Sequence, residues 1–433
     1  MRARLRTMFQ SLHVRNYRLF ALGQLIRLHG VWMQFIAQDW LVLKLTDNSA
    51  AALGIVSGLQ FAPIVLLTLY GGKLADRYDK RYLLLAANAA FSIVALVLAV
   101  LVMADVVTVA HVMVAAVLMG TASAIETPVR QAFVSEMVPA ELLPNALGLS
   151  AATFNLSRVV GPAAAGVAIW AFGNDLGPVF MIIAALCLGP LIFLLRMDPN
   201  QLYRDSVQNG RRARIRDGLA YLKGRDDLVL PMVLMAVIGM LGFNFQITLA
   251  ILAKSVFHTE AQVFGLLTSA LAIGAVAGAL VSSARRERPG IHLILVASIV
   301  FGALETLVGL APSFWLTAAL LVPTGFFMIF LAQAANQRVQ LGVDPAYRGR
   351  VMAVYVLVFF GTTPIGAPTI GFISDHLGPR VGVWGGGLLC VLAAVGGLAY
   401  ELRRSGTRIR LHLTPRPHLE VIEPTRALAT SAS

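Results

Sequence analysis

Apolar residues in this chain gather into twelve stretches separated by short polar breaks. They lie at about 17–44, 50–72, 82–104, 107–127, 145–172, 178–196, 228–253, 262–284, 291–310, 314–335, 350–373 and 382–402. A helix needs about 20 apolar residues to cross a bilayer. In lipid the backbone must satisfy its own hydrogen bonds, which leaves helices and closed barrels, and runs of this length suit helices. Composition points the same way. Of 433 residues, 58% are hydrophobic and only 13% charged, with mean hydropathy +0.75; soluble domains carry roughly 25% charge. The expected fold class is therefore an all-α integral membrane protein with twelve transmembrane helices. An even number of crossings puts both termini on one side.

The net charge of +13 could suggest a nucleic-acid partner, so the placement of the charges decides. With the N-terminus inside, 30 of the 35 Lys and Arg residues fall in inside segments. These are Arg2 to Arg18, the Lys73–Arg81 loop, Arg130, the 196–227 stretch, Arg285–Arg288, Arg338–Arg350 and the tail. Outside loops keep Lys44, Lys254 and Arg380, while Arg27 and Arg158 lie within helices. That bias is the positive-inside pattern. It predicts cytoplasmic termini, a multi-pass protein of the cytoplasmic (inner or plasma) membrane, the lipid bilayer as partner, and no nucleic acid. The start, MRARLRTMFQSLHVRNYRLF, does not read as a cleavable signal peptide. Arg far outnumbers Lys, which hints at a GC-rich bacterial genome. Cys187 and Cys390 both lie in apolar runs, excluding a disulfide scaffold and a zinc cluster. No metal site, cofactor or phosphate-binding loop is expected, and no Ser-His-Asp or HExxH arrangement argues for an enzyme.

The longest polar segment divides the chain into an N-terminal bundle (1–196), a linker (197–227), a C-terminal bundle (228–404) and a tail (405–433) that is expected to be disordered. In the linker, Ile215, Leu219 and Leu222 fall at helical spacing among Arg212, Arg214, Arg216 and Lys223, which suggests an amphipathic helix on the inner membrane surface or else a plain connection.

Six helices, a linker and six more, with Gly72-Lys73-Leu74-Ala75-Asp76-Arg77-Tyr78-Asp79-Lys80-Arg81 after the second helix, resemble the major facilitator superfamily and its signature loop. Asp79 stands where that loop usually has a second glycine. The stretches TPVRQAFVSEMVP (127–139), NALGLSAATFNLSRVVGPAAAG (145–166) and RGRVMAVY (348–355) are similar to the enterobactin-exporter and macrolide-efflux branch. The resemblance implies two six-helix bundles and export of small hydrophobic or amphipathic molecules, usually proton-driven. It also implies a gating motif in Gly72, Asp76, Arg77, Lys80 and Arg81. There Asp76 would meet the start of the eleventh helix when the outside gate is open; otherwise the segment is a basic turn.

Ionisable residues inside a membrane are costly and are functional candidates by default. The proton-coupling candidates are Asp39, Glu126 and Arg158. Asp39 could instead be a solvated helix-end residue, and Glu126 could pair with Arg158 or, at i,i+4, with Arg130. On helix 1, Gln24, Arg27, Gln34 and Gln38 share a face. Arg27, Gln34, Gln38, Asn155, Phe243, Asn244, Gln246, Gln333 and Asn336 are substrate-cavity candidates, with amides and aromatics that suit an uncharged or amphipathic ligand. Arg27 could favour an anionic group or neutralise Asp39. His29 reads as a helix contact and Glu305 as an outer-end residue of a peripheral helix. Gly161-Pro162, where proline cannot donate to the carbonyl of Arg158, and Pro364 with Gly366 are hinge candidates.

The reading is a proton-coupled antiporter, multidrug-like by its branch and monomeric, that moves a small-molecule substrate outward against protons by alternating access. An uptake porter for a metabolite, or a lipid-handling or scaffold membrane protein, are the alternatives.

Overall fold

The computed structural model describes residues 9–203, 215–285, 287–344, 347–405, 408–412 and 418–422. The N-terminal half holds six long helices: α1 (Arg15–Leu45), α2 (Ala50–Arg77), α3 (Lys80–Met103), α4 (Val109–Met137), α5 (Leu143–Ala171) and α6 (Gly177–Leu195). A short α7 (Ile215–Leu222) precedes the C-terminal half. That half contains α8 (Asp226–Leu241), α9 (Phe245–Ile251), α10 (Ala261–Ser283), α11 (Ile291–Leu310), α12 (Phe314–Gly342), α13 (Arg348–Gly361), α14 (Thr363–Leu377) and α15 (Pro379–Ser405). Among the described residues, ten helical segments are long and apolar enough to cross a membrane, counting α8–α9 and α13–α14 each as one rod. Helices α1 and α5, of 31 and 29 residues, have the length, with Arg27, Asp39 and Arg158 set in them.

Helix ends follow local chemistry. The Ser49 hydroxyl accepts from the Ala52 amide at the start of α2, and Asp79 accepts from the Arg81 amide at the start of α3, each satisfying an otherwise orphaned donor. Proline sits in the first turn of α5, α6 and α14, where its missing N–H costs nothing. Gly378, at φ +108°, turns the chain from α14 into α15. Helices α4 and α12 outrun their apolar stretches, to Met137 and Gly342, and bury Phe133, Val134, Met137 and Val339 of those extensions against neighbours. Two rods expected to be continuous are broken, at Gly242–Asn244 and at Thr362.

Within each half, α1 packs on α5 and α6, α2 on α4, α10 on α12, and α11 on α15; the halves meet through α2 with α14 and α5 with α10. The α2–α14 seam is backbone against backbone: a Cβ at Gly54 would strike the Ala367 carbonyl, and one at Gly371 the Ala50 carbonyl. A single apolar cluster joins both halves through the middle and at the end holding the α1–α2 and α11–α12 turns, here the far end. At the other end, which holds the 196–227 connection, the core divides in two. Tyr17, Phe20, Phe133 and Val134 belong to one cluster, and Leu228, Val339, Val351 and Tyr355 to another. The halves are thus joined at the far end and parted at the linker end.

Helix α7 forms where its spacing predicts. Leu222 is buried against α8 and α13, and Gly218 lies on the Arg350 backbone, so this helix packs on the C-terminal half, while Leu219 remains exposed. Arg212 and Arg214 lie outside the described residues. Arg225 anchors the end of the connection, donating to Asp227 at 2.9 Å and to the Gly342 carbonyl. The bond to Asp227 raises the pKa of this guanidinium further above its usual value. In the tail, where no order is expected from composition, the alternating segments Arg408–His412 and His418–Ile422 pair as antiparallel strands β1 and β2; the rest of the tail lies outside the described residues.

Candidate functional site

The helices that part at the linker end enclose two connected spaces midway along the bundle. One, of about 300 Å³, is lined by Ser57, Arg158, Phe243, Asn244, Gln246 and Met328, among others. Beside it, a space of about 190 Å³ shares Phe61, Arg158, Phe243, Gln246 and Met328 and adds Trp32, Pro162 and Phe264. Toward the linker end, about 410 Å³ opens between α12 and α13, lined by Gln333, Asn336, Gln337, Gln340, Tyr355 and Phe359. Phe359 borders both this space and the first. The cavity candidates Phe243, Asn244, Gln246, Gln333 and Asn336 therefore line neighbouring spaces that meet at Phe359.

The other candidates sit elsewhere. Arg27 is buried, with its guanidinium 3.1 Å from Glu126 and over the Phe91 ring. Arg130 pairs with the other Glu126 oxygen at 3.0 Å. These three form one ion-paired group on α1 and α4, two cations sharing a single carboxylate, so Glu126 is occupied and does not meet Arg158. Gln34 donates to Gln38, and Gln38 to Gln60 of α2 at 3.0 Å, an amide ladder inside the N-terminal half. The Asn155 amide returns to the Ala151 carbonyl. A polar stripe on a helix thus need not face solvent; here much of it is consumed between helices.

Arg158 lies with its guanidinium over the Trp32 ring, 5.8 Å from the centroid, and makes no ion pair or hydrogen bond with the described residues. Pro162 denies the Arg158 carbonyl its usual helical donor, although α5 runs through unbroken. Gly161 lets α5 press against Trp32 and the His29 carbonyl. His29 instead meets Ser157 at 3.1 Å, a contact between helices. Asp39 is 1% exposed, and neither carboxyl oxygen has a hydrogen-bond partner among the described residues; Gln246 stands next to it. Asp39 touches neither Arg27 nor Arg158 through any ion pair.

Two features escaped the sequence. Glu305 is not an outer-end residue: it is buried at the α8–α9 break, where only glycine at position 242 leaves room for its carboxyl. Asp375, at the end of α14, accepts from the Ser49 hydroxyl at 2.8 Å and from the amides of Ala50 and Ala51 at 2.6 and 2.9 Å. It thereby ties α14 to the first turn of α2, where a negative charge is favoured. A signal for it existed: Gly371, Asp375 and Arg380 repeat the spacing of Gly72, Asp76 and Arg81. In that first loop Arg81 donates to the Leu194 and Leu195 carbonyls, Lys80 pairs with Glu136, and Arg77 lies over Tyr78. Asp76 is exposed and makes no hydrogen bond or ion pair with the described residues. Pro364 opens α14 just past the Thr362 break, and Gly366 abuts the Met240 carbonyl.

The profile of the transmembrane secretion effector family, within the major facilitator superfamily, matches residues 6–426. The staphyloferrin A transporter of Staphylococcus aureus is 25% identical over 81% of this chain and 87% of its own. Macrolide efflux protein A of Streptococcus pyogenes is 23% identical over 85% and 93%. Among solved structures, a bacterial homologue of the human lysosomal transporter Spinster, inward-facing and occupied, superposes with a TM-score of 0.71 at 15% identity, covering 90% of this chain and 97% of that one. The nucleoside transporter NupG gives 0.66 at 15%, covering 90% and 98%. The structural likenesses establish the fold. The chain belongs to the transmembrane secretion effector family: it is a multi-pass transporter of the plasma membrane and not an enzyme.

Proposed function

We propose that this member of the transmembrane secretion effector family exports small amphipathic molecules, siderophore- or macrolide-like, in exchange for protons by alternating access. The observation that carries the reading is the path of cavities between two halves that are joined at the far end and parted at the linker end. The charge bias of the loops supports twelve crossings with the linker end and both termini in the cytoplasm, so this conformation opens inward. Substrate enters beside Gln333 and Asn336 and reaches Arg158, Phe243, Asn244 and Gln246 near the midplane.

Asp39 carries the proton in this scheme. Its carboxyl is buried beside Gln246, which lines the cavity, with no cation holding it, a setting in which a proton can ride with the helix through the crossing. In the Arg27–Glu126–Arg130 group the carboxylate is held by two guanidinium groups and serves as structure. The latches are Asp375 in the conformation described and Asp76 in the opposite one. Breaks at Gly242–Asn244 and Thr362 let the C-terminal half flex around the bound molecule.

The test is proton movement in proteoliposomes with an imposed pH gradient, on addition of macrolides and siderophores. Substrate-dependent flux in the wild type that disappears in Asp39→Asn is the expected result. Flux that persists in Asp39→Asn takes the proton role from Asp39; no flux with any compound, from folded protein, overturns coupled export.

A further inference from the structure

Among the residues that line the two midplane spaces, Arg158 is the one charged side chain, and no acidic residue lines either space. The other cations set in the N-terminal bundle's interior each have an acidic partner: Arg27 and Arg130 both face Glu126. Asp39 makes no ion pair with Arg158 and lines neither space. Around Arg158 the wall is aromatic, with Trp32, Phe61 and Phe243, and the other polar groups within it are neutral, the amides of Asn244 and Gln246 and the hydroxyls of Ser57, Thr268 and Thr363.

Charged residues at membrane depth are held by partners or by water. While the linker end is open, water reaching the cavity can hydrate the guanidinium. Alternating access requires an occluded state in which that water is largely gone, and a desolvated, unpaired charge is then costly. A ligand that brings a negative group removes this cost; a neutral ligand leaves it, and a cationic one adds repulsion.

We infer that the midplane site takes amphipathic anions, with a carboxylate, phosphate or sulfonate on Arg158 and an apolar or aromatic body against Trp32, Phe61 and Phe243. The planar guanidinium offers paired N–H donors that match such groups. This rests on the exporter reading for its direction and not for the binding itself. It narrows the exporter reading to its siderophore-like side, because an amine-bearing macrolide would meet the wrong charge at Arg158. The negative group belongs either to a soluble solute or to a lipid headgroup, since the chemistry at Arg158 is the same.

Fluorescence titration of the purified protein in phosphatidylcholine nanodiscs tests this with three probes that share one aromatic body: N-dansylglycine (anionic), dansylamide (neutral) and dansylethylenediamine (cationic). The wild type is expected to bind dansylglycine about tenfold more tightly than dansylamide, with the cation weakest. Arg158→Gln should erase the preference while still binding dansylamide, which also shows that the site is folded, and Arg158→Lys should keep part of it. Equal affinity for the three probes, tighter binding of the cation, failure of the wild type to bind dansylglycine, or an unchanged preference in Arg158→Gln each overturns the assignment. Discs containing phosphatidylglycerol separate the two sources: competition with dansylglycine assigns the site to a headgroup, and undiminished binding assigns it to a soluble anion. Proton flux fails or survives separately. An intact anion preference without flux removes export and keeps the site; flux driven by cations and insensitive to Arg158 does the reverse.

Discussion

The loops 72–81 and 371–380 stand at opposite ends of the α2–α14 pair and share one spacing, glycine, then aspartate four residues on, then arginine five beyond that. Both arginines do the same thing inside their own half. Arg81 donates to the last carbonyls of α6, and Arg380 to the Gly309 and Ala311 carbonyls at the end of α11. The aspartates differ. Asp375 reaches across to the other half and holds the first amides of α2, whereas Asp76 makes no hydrogen bond or ion pair with the described residues. One element of each loop is therefore a fixed brace and the other a contact that depends on which end is closed. A pair of equivalent latches, one made and one released, is what a molecule needs if it is to close either end but never both at once.

The largest effect that bears on this contrast comes from its scaffold. Glu126→Gln leaves Arg27 buried and Arg130 half-buried around a neutral amide, and should cost about 3 kcal/mol, read as a lower thermal midpoint in detergent with both latches untouched. If the midpoint does not move, the N-terminal half is not the rigid body against which the latches work. Next is the made latch. Asp375→Ala removes three hydrogen bonds from a carboxylate and should shift the equilibrium toward far-end opening by about ten- to a hundredfold, seen as longer distances between spin labels across that end. The braces come third. Arg81→Ala and Arg380→Ala should each lose about 1–2 kcal/mol of stability and leave those distance distributions alike; a shift in either would break the division into brace and latch. Smallest in this conformation is Asp76→Asn, with a few tenths of a kcal/mol in stability. Its effect should be opposite in sign to that of Asp375→Ala, depleting the far-end-open population.

How much of this could be read beforehand varies by physical origin. Helix positions were legible because apolar length is a local property, and α11 falls where the stretch 291–310 predicts it. The break at Gly242–Asn244 was hidden because hydropathy continues straight through it, and only the single glycine marks the place where Glu305 needs room. The Arg27–Glu126 pair joins residues on helices α1 and α4, and helical periodicity ranks faces within one helix without saying which neighbour a face meets. For the same reason Gln34 and Gln38 looked like cavity lining and proved to be a ladder onto Gln60. Arg158 was visible as a costly charge, yet its lack of a protein partner emerges only when the surrounding helices are placed. Asp375 needed no long-range knowledge; its motif was in plain view as a repeat of Gly72, Asp76 and Arg81.

Cys187 and Cys390 are free thiols sealed inside the two halves. A water-soluble maleimide should find neither, so the native sequence already serves as a reagent-silent background. A thiol introduced on either side of the α2–α14 seam would then report, by its alkylation rate alone, how often each end of that seam admits solvent, and no native residue would have to be removed to hear the signal.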